Sequence, residues 1–288
     1  NGNINIFPYS RTMYLGVSIY SLIFARFLEN DYGIIFIRLA LFTYDLVLFR
    51  TLTILIKSKR KVILYYWCSP ILFYINYIYT QLDVIPLTFL FLSAYYLLKN
   101  KNIISLILLG LSISAKINGA IVLPFYLFYL YRKNVSVKKS IFLAILPLLV
   151  YCLINIDLVT NKEFINMVLL NRQQSSILNM KIDFYGNSFY FVPVIYLALL
   201  LVAIKFKFYS QDLFIIFLCF SFLILTSFGI NNEGWYYWVV PFLAYFYSKN
   251  KNYSKEIYLF FNAFYFLFFL IRNLNIIVIE IIFFILFK

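Results

Sequence analysis

DVIPLTFLFLSAYYLLKNKNIISLILLGLSISAK, residues 83–116, holds two apolar runs, 84–98 and 103–115, joined by a break carrying Lys99 and Lys101. Neither run contains a charge, and neither alternates polar with apolar residues. Each therefore reads as a helix in lipid and not as a strand of a barrel. At the far ends stand polar breaks, Thr80-Gln81-Leu82-Asp83 before the first run and Lys116-Ile117-Asn118-Gly119 after the second. A chain that goes in and comes back puts both breaks on one side and the two lysines on the other.

The same pattern covers the chain. Apolar runs fall at about 13–28, 34–56, 62–79, 84–98, 103–115, 121–131, 140–156, 189–204, 212–228, 236–247, 256–271 and 276–287. A membrane span needs about 20 apolar residues, fewer where charged ends snorkel. The expected fold is an all-α, polytopic transmembrane bundle of 11–12 apolar segments, one transmembrane domain over 1–288. Its long polar stretch is 157–188, rich in Asn, Gln and Ser. Such a loop inside a compact domain is more often functional than idle.

Composition agrees. Of 288 residues, 64% are hydrophobic and 12% charged, against about 45–50% and 25% in soluble domains. Histidine is absent, which excludes His general acid–base chemistry, Ser-His-Asp triads and His-ligated metals. Cys68, Cys152 and Cys219 each sit alone in an apolar run, so they read as small hydrophobes without a disulfide framework. There is no Walker A motif and no GxGxxG.

The net charge of +14 is a matter of placement. Sixteen of the 25 basic residues fall on alternate breaks: Lys57 to Lys61, Lys99 and Lys101, Arg132 to Lys139, Lys205 and Lys207, Lys249 to Lys255, and Lys288. The other breaks hold Glu29, Asp31, Asp83, Asp157, Glu163, Asp183 and Glu233. The positive-inside rule puts the first set in the cytoplasm and the second outside. The charge is thus a topology signal, and no nucleic-acid partner is expected. The sequons at Asn134 and Asn252 fall on the cytoplasmic side. The sequence starts at Asn1 with no signal-peptide pattern. Parity places 13–28, interrupted by Arg26, re-entrant or along the outer interface.

Charges at membrane depth are functional candidates by default. Arg38 and Asp45 are seven residues apart on one helical face, with Arg50 beyond them; an interhelical pair or snorkelling would account for them. Glu280 has no evident partner in the sequence. The outer breaks carry more chemistry: Gln81 and Asp83, the isolated Lys116, Arg172 in Asn171-Arg172-Gln173-Gln174, and Asn231-Asn232-Glu233-Gly234-Trp235-Tyr236-Tyr237-Trp238 before Pro241. Amides and carboxylates suit sugar hydroxyls, and Arg or Lys suits phosphate oxygens. Interfacial Trp and Tyr belts are routine by themselves.

In order along the chain these motifs resemble the GT-C superfamily of polyprenyl-phosphate-sugar glycosyltransferases, most closely the GPI mannosyltransferase I type and its prokaryotic relatives. The resemblance rests on Phe7-Pro8-Tyr9, the run Ile34–Ile56 with Asp45, Ser69-Pro70 with Gln81-x-Asp83, and Ala115-Lys116-Ile117. It continues through Arg172 to Asn187-Ser188-Phe189-Tyr190 and ends on Gly234-Trp235-Tyr236-Tyr237-Trp238-Val239-Val240-Pro241. It implies an inverting transfer of a sugar, typically mannose, from a polyprenyl-phosphate carrier to a lipid or glycan acceptor on the extracytoplasmic face. It also implies a catalytic carboxylate in a loop ahead of the Pro segment, expected upstream of Asn1.

The roles expected on this basis are Lys116 and Arg172 for the donor phosphate, and Gln81 and Asp83 for sugar or acceptor hydroxyls. Asn232, Glu233 and Trp235 line the acceptor side, and Asp83, Glu29 and Asp31 are the candidate catalytic carboxylates. A divalent cation is a candidate cofactor, and membrane lipids are partners. The plasma membrane, or the endoplasmic reticulum in a eukaryote, is the expected location. The competing readings are a transporter or flippase of lipid-linked sugars, which calls for an internal repeat, and a polysaccharide polymerase, which calls for external arginines.

Overall fold

The computed structural model describes residues 11–13, 15–17, 33–133, 135–158, 160–206, 210–228, 233–250, 252 and 254–286. Most of the 13–28 run, Glu29, Asp31 and Asn232 lie outside them. The fold is an all-α bundle of apolar helices. Its main helices are α1 (Gly33–Ile56), α2 (Val84–Leu98), α3 (Asn102–Ala115), α4 (Leu123–Arg132), α5 (Val137–Ile154), α6 (Phe191–Lys205), α7 (Gln211–Phe228), α8 (Val240–Lys249) and α9 (Ser254–Leu286).

Four helical stretches are long and apolar enough to cross a membrane: Ile37–Ile56, Val137–Ile154, Gln211–Phe228 and Ser254–Ile271. Helices α2, α3 and α6 are apolar but have 14–15 residues, about 21–22 Å of rise against roughly 30 Å of hydrocarbon. The outside of the bundle is as apolar as its core. Phe142 on α5 is 73% exposed and Phe260 on α9 is 67% exposed. In water such surfaces would be a costly patch; in lipid they are the solvated face. The protein is membrane-embedded.

Helices α2 and α3 form a tight antiparallel hairpin. Asn100, in the left-handed conformation at φ 60°, turns the chain between them. Small polar residues fasten the pair: the Ser93 hydroxyl donates to the Ser105 carbonyl at 2.7 Å, and Ser112 to the Pro86 carbonyl at 2.8 Å. Buried groups of this kind must find partners within the bundle. Gly110 lets α3 approach α5 closely, since a β-carbon there would stand 2.6 Å from Val150 Cβ and 2.9 Å from the Pro147 carbonyl oxygen. Gly110→Val is therefore expected to destabilise the bundle by about 1–3 kcal/mol through overpacking, read as a lower melting temperature in detergent. An unchanged melt would contradict this packing.

Three sequence boundaries move. The run 62–79 is broken at Ser69-Pro70 into short helical pieces, Lys59–Val62 and Pro70–Phe73, each followed by a π-helical turn, Ile63–Trp67 and Tyr74–Ile78. Pro70 lacks the N–H that would continue the ladder. The Tyr258 hydroxyl of α9 meets the Cys68 carbonyl at 3.1 Å, and Ser69 donates to the Asn262 side chain. In the opposite sense, the runs that start at 256 and 276 belong to one helix, α9, which is described as far as Leu286. The polar residues between them weaken hydropathy without breaking a helix. The run 189–204 starts its helix at Phe191, because Asn187–Tyr190 forms strand β2 of a hairpin with β1 (Lys181–Phe184). On that exposed hairpin, the Ser188 hydroxyl, and then Lys181, hold the Asp183 carboxyl below its ordinary range.

Charged breaks gather at two opposite ends. At one, Lys61 donates to the Ser248 carbonyl at 2.5 Å, Arg132 to the Ile204 carbonyl at 2.8 Å, and Lys249 pairs with Asp212 at 3.3 Å. At the other, Arg11 pairs with Asp157, and Thr12 donates to Ser114, which also receives the Asn155 amide at 2.9 Å.

Candidate functional site

The hairpin of α2 and α3 places the site. Asp83 immediately precedes α2 and Lys116 immediately follows α3, so helices of nearly equal length return the two charges to one end. Lys116 ends α3 by turning to extended backbone (φ −151°, ψ 122°). Its ammonium meets Asp83 Oδ1 at 2.6 Å, while Gln81 Nε2 donates to Asp83 Oδ2 at 3.0 Å. Both carboxylate oxygens are engaged. The Asp83 side chain is 2% exposed and that of Lys116 19%.

Against this pair packs the 3-10 turn Glu233–Trp238. The Lys116 ammonium lies 5.8 Å from the Trp235 ring and 5.9 Å from that of Trp238, within reach of both π faces. The buried Trp238 Nε1 has no hydrogen-bond partner among the described residues. Gly234 makes the approach feasible, because a β-carbon there would stand 2.7 Å from Gln81 Cδ. Just ahead of the site Thr80 holds φ 57°, a left-handed conformation costly for a β-branched residue.

Four of the expected residues thus meet: Gln81, Asp83, Lys116 and Trp235. Glu233 turns elsewhere: its Oε2 accepts the Tyr74 hydroxyl at 2.7 Å, and its carbonyl accepts that of Tyr265 at 3.2 Å. Arg172 is exposed at the start of the short helix Arg172–Leu178. That helix does border the site, since Ile177 packs with Val192, Ile224 and Trp235. The Arg172 side chain remains on the surface because the apolar far end of its helix takes the buried position.

One part of the site was missed at the level of sequence. Asp45 does not pair with Arg38, which is exposed, but turns inward and is fully buried. Its Oδ1 accepts the Tyr66 hydroxyl at 2.5 Å and its Oδ2 that of Tyr77 at 2.6 Å. The Tyr66 and Tyr237 hydroxyls meet at 2.7 Å. Tyr237 belongs to the same turn as Trp235 and Trp238, so this network braces the aromatic wall against α1. Both Tyr66 and Tyr77 stand in π-helical turns, which recur at functional positions. The available signal was a carboxylate in mid-span with many tyrosines nearby in sequence.

No group of three or more metal-ligating side chains occurs among the described residues. No family model, curated protein or solved structure matches the chain.

Proposed function

We propose that the protein is a membrane glycosyltransferase that moves a sugar, typically mannose, from a polyprenyl-phosphate carrier to a lipid or glycan acceptor. The observation that carries this reading is the nearly buried Lys116–Asp83 pair, held at the acid-bearing end between Gln81 and two tryptophans. The ordered motif resemblance to GT-C enzymes supports it.

An ammonium has three donors, and one is committed to Asp83. The others remain for the phosphate oxygens of a donor. In the transfer, the bond from the sugar's anomeric carbon to the carrier phosphate breaks, and its electron pair stays on the phosphate. Lys116 neutralises that growing charge, held in place by Asp83 and by the faces of Trp235 and Trp238. The acceptor oxygen bonds to the anomeric carbon from the opposite side and gives its proton to a carboxylate. Asp83 is tied up by Lys116 and Gln81, so it acts here as a positioning residue. Glu29 and Asp31 are the other carboxylates assigned to the base role. Phosphate binding is assigned to Lys116 in preference to the exposed Arg172.

The test is transfer in proteoliposomes by the protein expressed from its full reading frame, with labelled polyprenyl-phosphate sugars and a glycolipid acceptor fraction. Labelled product that depends on Lys116 is the expected result. Movement of intact lipid-linked sugar across the bilayer, with no transfer from any donor, would overturn it. Gly234→Ala gives a finer check. The flexible end of Gln81 can move aside, so the fold is expected to hold with a melting temperature lowered by no more than the loss of one hydrogen bond to buried Asp83, about 1–3 kcal/mol. The Gln81 bond to Asp83 is lost, and transfer drops about ten- to hundredfold by misplacement. Unchanged transfer would show that Gln81 has no part in the reaction.

A further inference from the structure

At the opposite, basic end a second feature is independent of that site. Helices α1 and α2 pack side by side and leave a groove of about 510 Å³ between them. Val47, Ile54 and Leu92 are among its apolar lining, and Arg50, Tyr95 and Tyr96 are among its polar lining. The volume falls within the range of small-ligand pockets. Arg50 sits six residues before the end of α1, about 9 Å into the helix, inside a stretch long and apolar enough to span a membrane.

A cation at that depth is costly without a counter-charge. No carboxylate pairs with Arg50 among the described residues, and the nearby Asp45 is consumed by Tyr66 and Tyr77. Arg50 is instead exposed to the groove. Two of the lining tyrosines carry further cations, Lys99 at 6.0 Å over the Tyr95 ring and Lys101 at 5.8 Å over that of Tyr96. The apolar lining suits an acyl chain, and Arg50, with a lysine over each of the two lining tyrosines, suits an anion.

We propose that this groove holds an anionic phospholipid, with its phosphate on Arg50 and its headgroup beneath Lys99 and Lys101. Charge complementarity fixes the occupant: a zwitterionic lipid would bring its own cation to a groove whose lining tyrosines already carry two. A guanidinium can take two phosphate oxygens at once, so Arg50 supplies the specific contact and the lysines add attraction near the membrane surface. The groove opens at the end opposite Asp83 and Lys116, so its lipid is distinct from a sugar donor bound there.

The test is native mass spectrometry of lipids retained by the protein from nanodiscs of mixed phosphatidylglycerol and phosphatidylcholine. Wild type is expected to retain phosphatidylglycerol preferentially. Arg50→Gln should lower that preference about tenfold, and Arg50→Lys only in part. Lys138→Gln with Lys139→Gln removes two exposed cations at the same end but outside the groove, and should change it less than twofold. An unchanged preference in Arg50→Gln would overturn the proposal. So would an equal loss in the Lys138/Lys139 variant, which would make retention a matter of net charge.

Discussion

Replacing Lys116 by methionine is expected to lower sugar transfer by about 10²–10³-fold, the usual cost of removing one preorganised charge from a transition state. It is also expected to lower stability by about 3 kcal/mol, because Asp83 is left as an unpaired charge in a buried position. The two effects separate in a second variant. Lys116→Met combined with Asp83→Asn removes both charges, and the side-chain oxygen of the new amide can still accept the Gln81 N–H. Its melting temperature should recover most of the loss while transfer stays low. If transfer recovers with stability, Lys116 is only structural. Asp83→Asn alone leaves Lys116 without its anchor, and a smaller loss of transfer is expected.

The second large effect is at Asp45. Asp45→Leu removes the acceptor of both hydroxyls: Tyr66 can turn to the Tyr237 hydroxyl 2.7 Å away, but that of the half-buried Tyr77 is left stranded. A hydroxyl left unsatisfied costs about 1–3 kcal/mol, so a loss of about 2 kcal/mol is expected. Asp45→Asn keeps one oxygen and should lose less. Tyr77→Phe in the Asp45→Leu background removes the stranded hydroxyl and should recover part of the loss, a coupling that a double-mutant cycle measures directly. Strictly additive effects would contradict the network. Because Tyr237 shares the turn of Trp235 and Trp238, transfer should fall along with stability even though Asp45 lies away from the Lys116 ammonium.

What could be read in advance, and what could not, follows from the kind of signal each element leaves. The hairpin 83–116 was legible because two uncharged runs of similar length are bounded by opposite kinds of break. Equal lengths bring Asp83 and Lys116 to one end without further information. Hydropathy misjudged the neighbouring elements for opposite reasons. Residues 62–79 are uninterrupted in apolarity, yet Pro70 removes a backbone donor and divides them. Arg272, Asn273 and Asn275 interrupt apolarity, yet none forbids helix, and α9 runs on through them. The tyrosine network around Asp45 was illegible for a third reason. With 27 tyrosines in the chain, sequence does not say which of them meet Asp45, and Tyr66 and Tyr77 stand in π-helical turns that shift the helical phase of their faces. Arg38 and Asp45 share one face of α1 but lie two turns apart, and spacing alone does not tell that Arg38 is exposed while Asp45 is buried among the tyrosines. Arg172 reads from sequence as a phosphate ligand, but the buried position goes to Ile177 on the same short helix.

The most direct measurement of the central claim is the affinity of the leaving group, polyprenyl phosphate, for the wild-type protein and for the stable Lys116→Met/Asp83→Asn variant, both in the same nanodiscs. If Lys116 receives the donor phosphate, the variant should bind polyprenyl phosphate at least about tenfold more weakly, or about 1.4 kcal/mol, while its binding of uncharged polyprenol is unchanged. Equal affinity of the two proteins for polyprenyl phosphate would contradict the account.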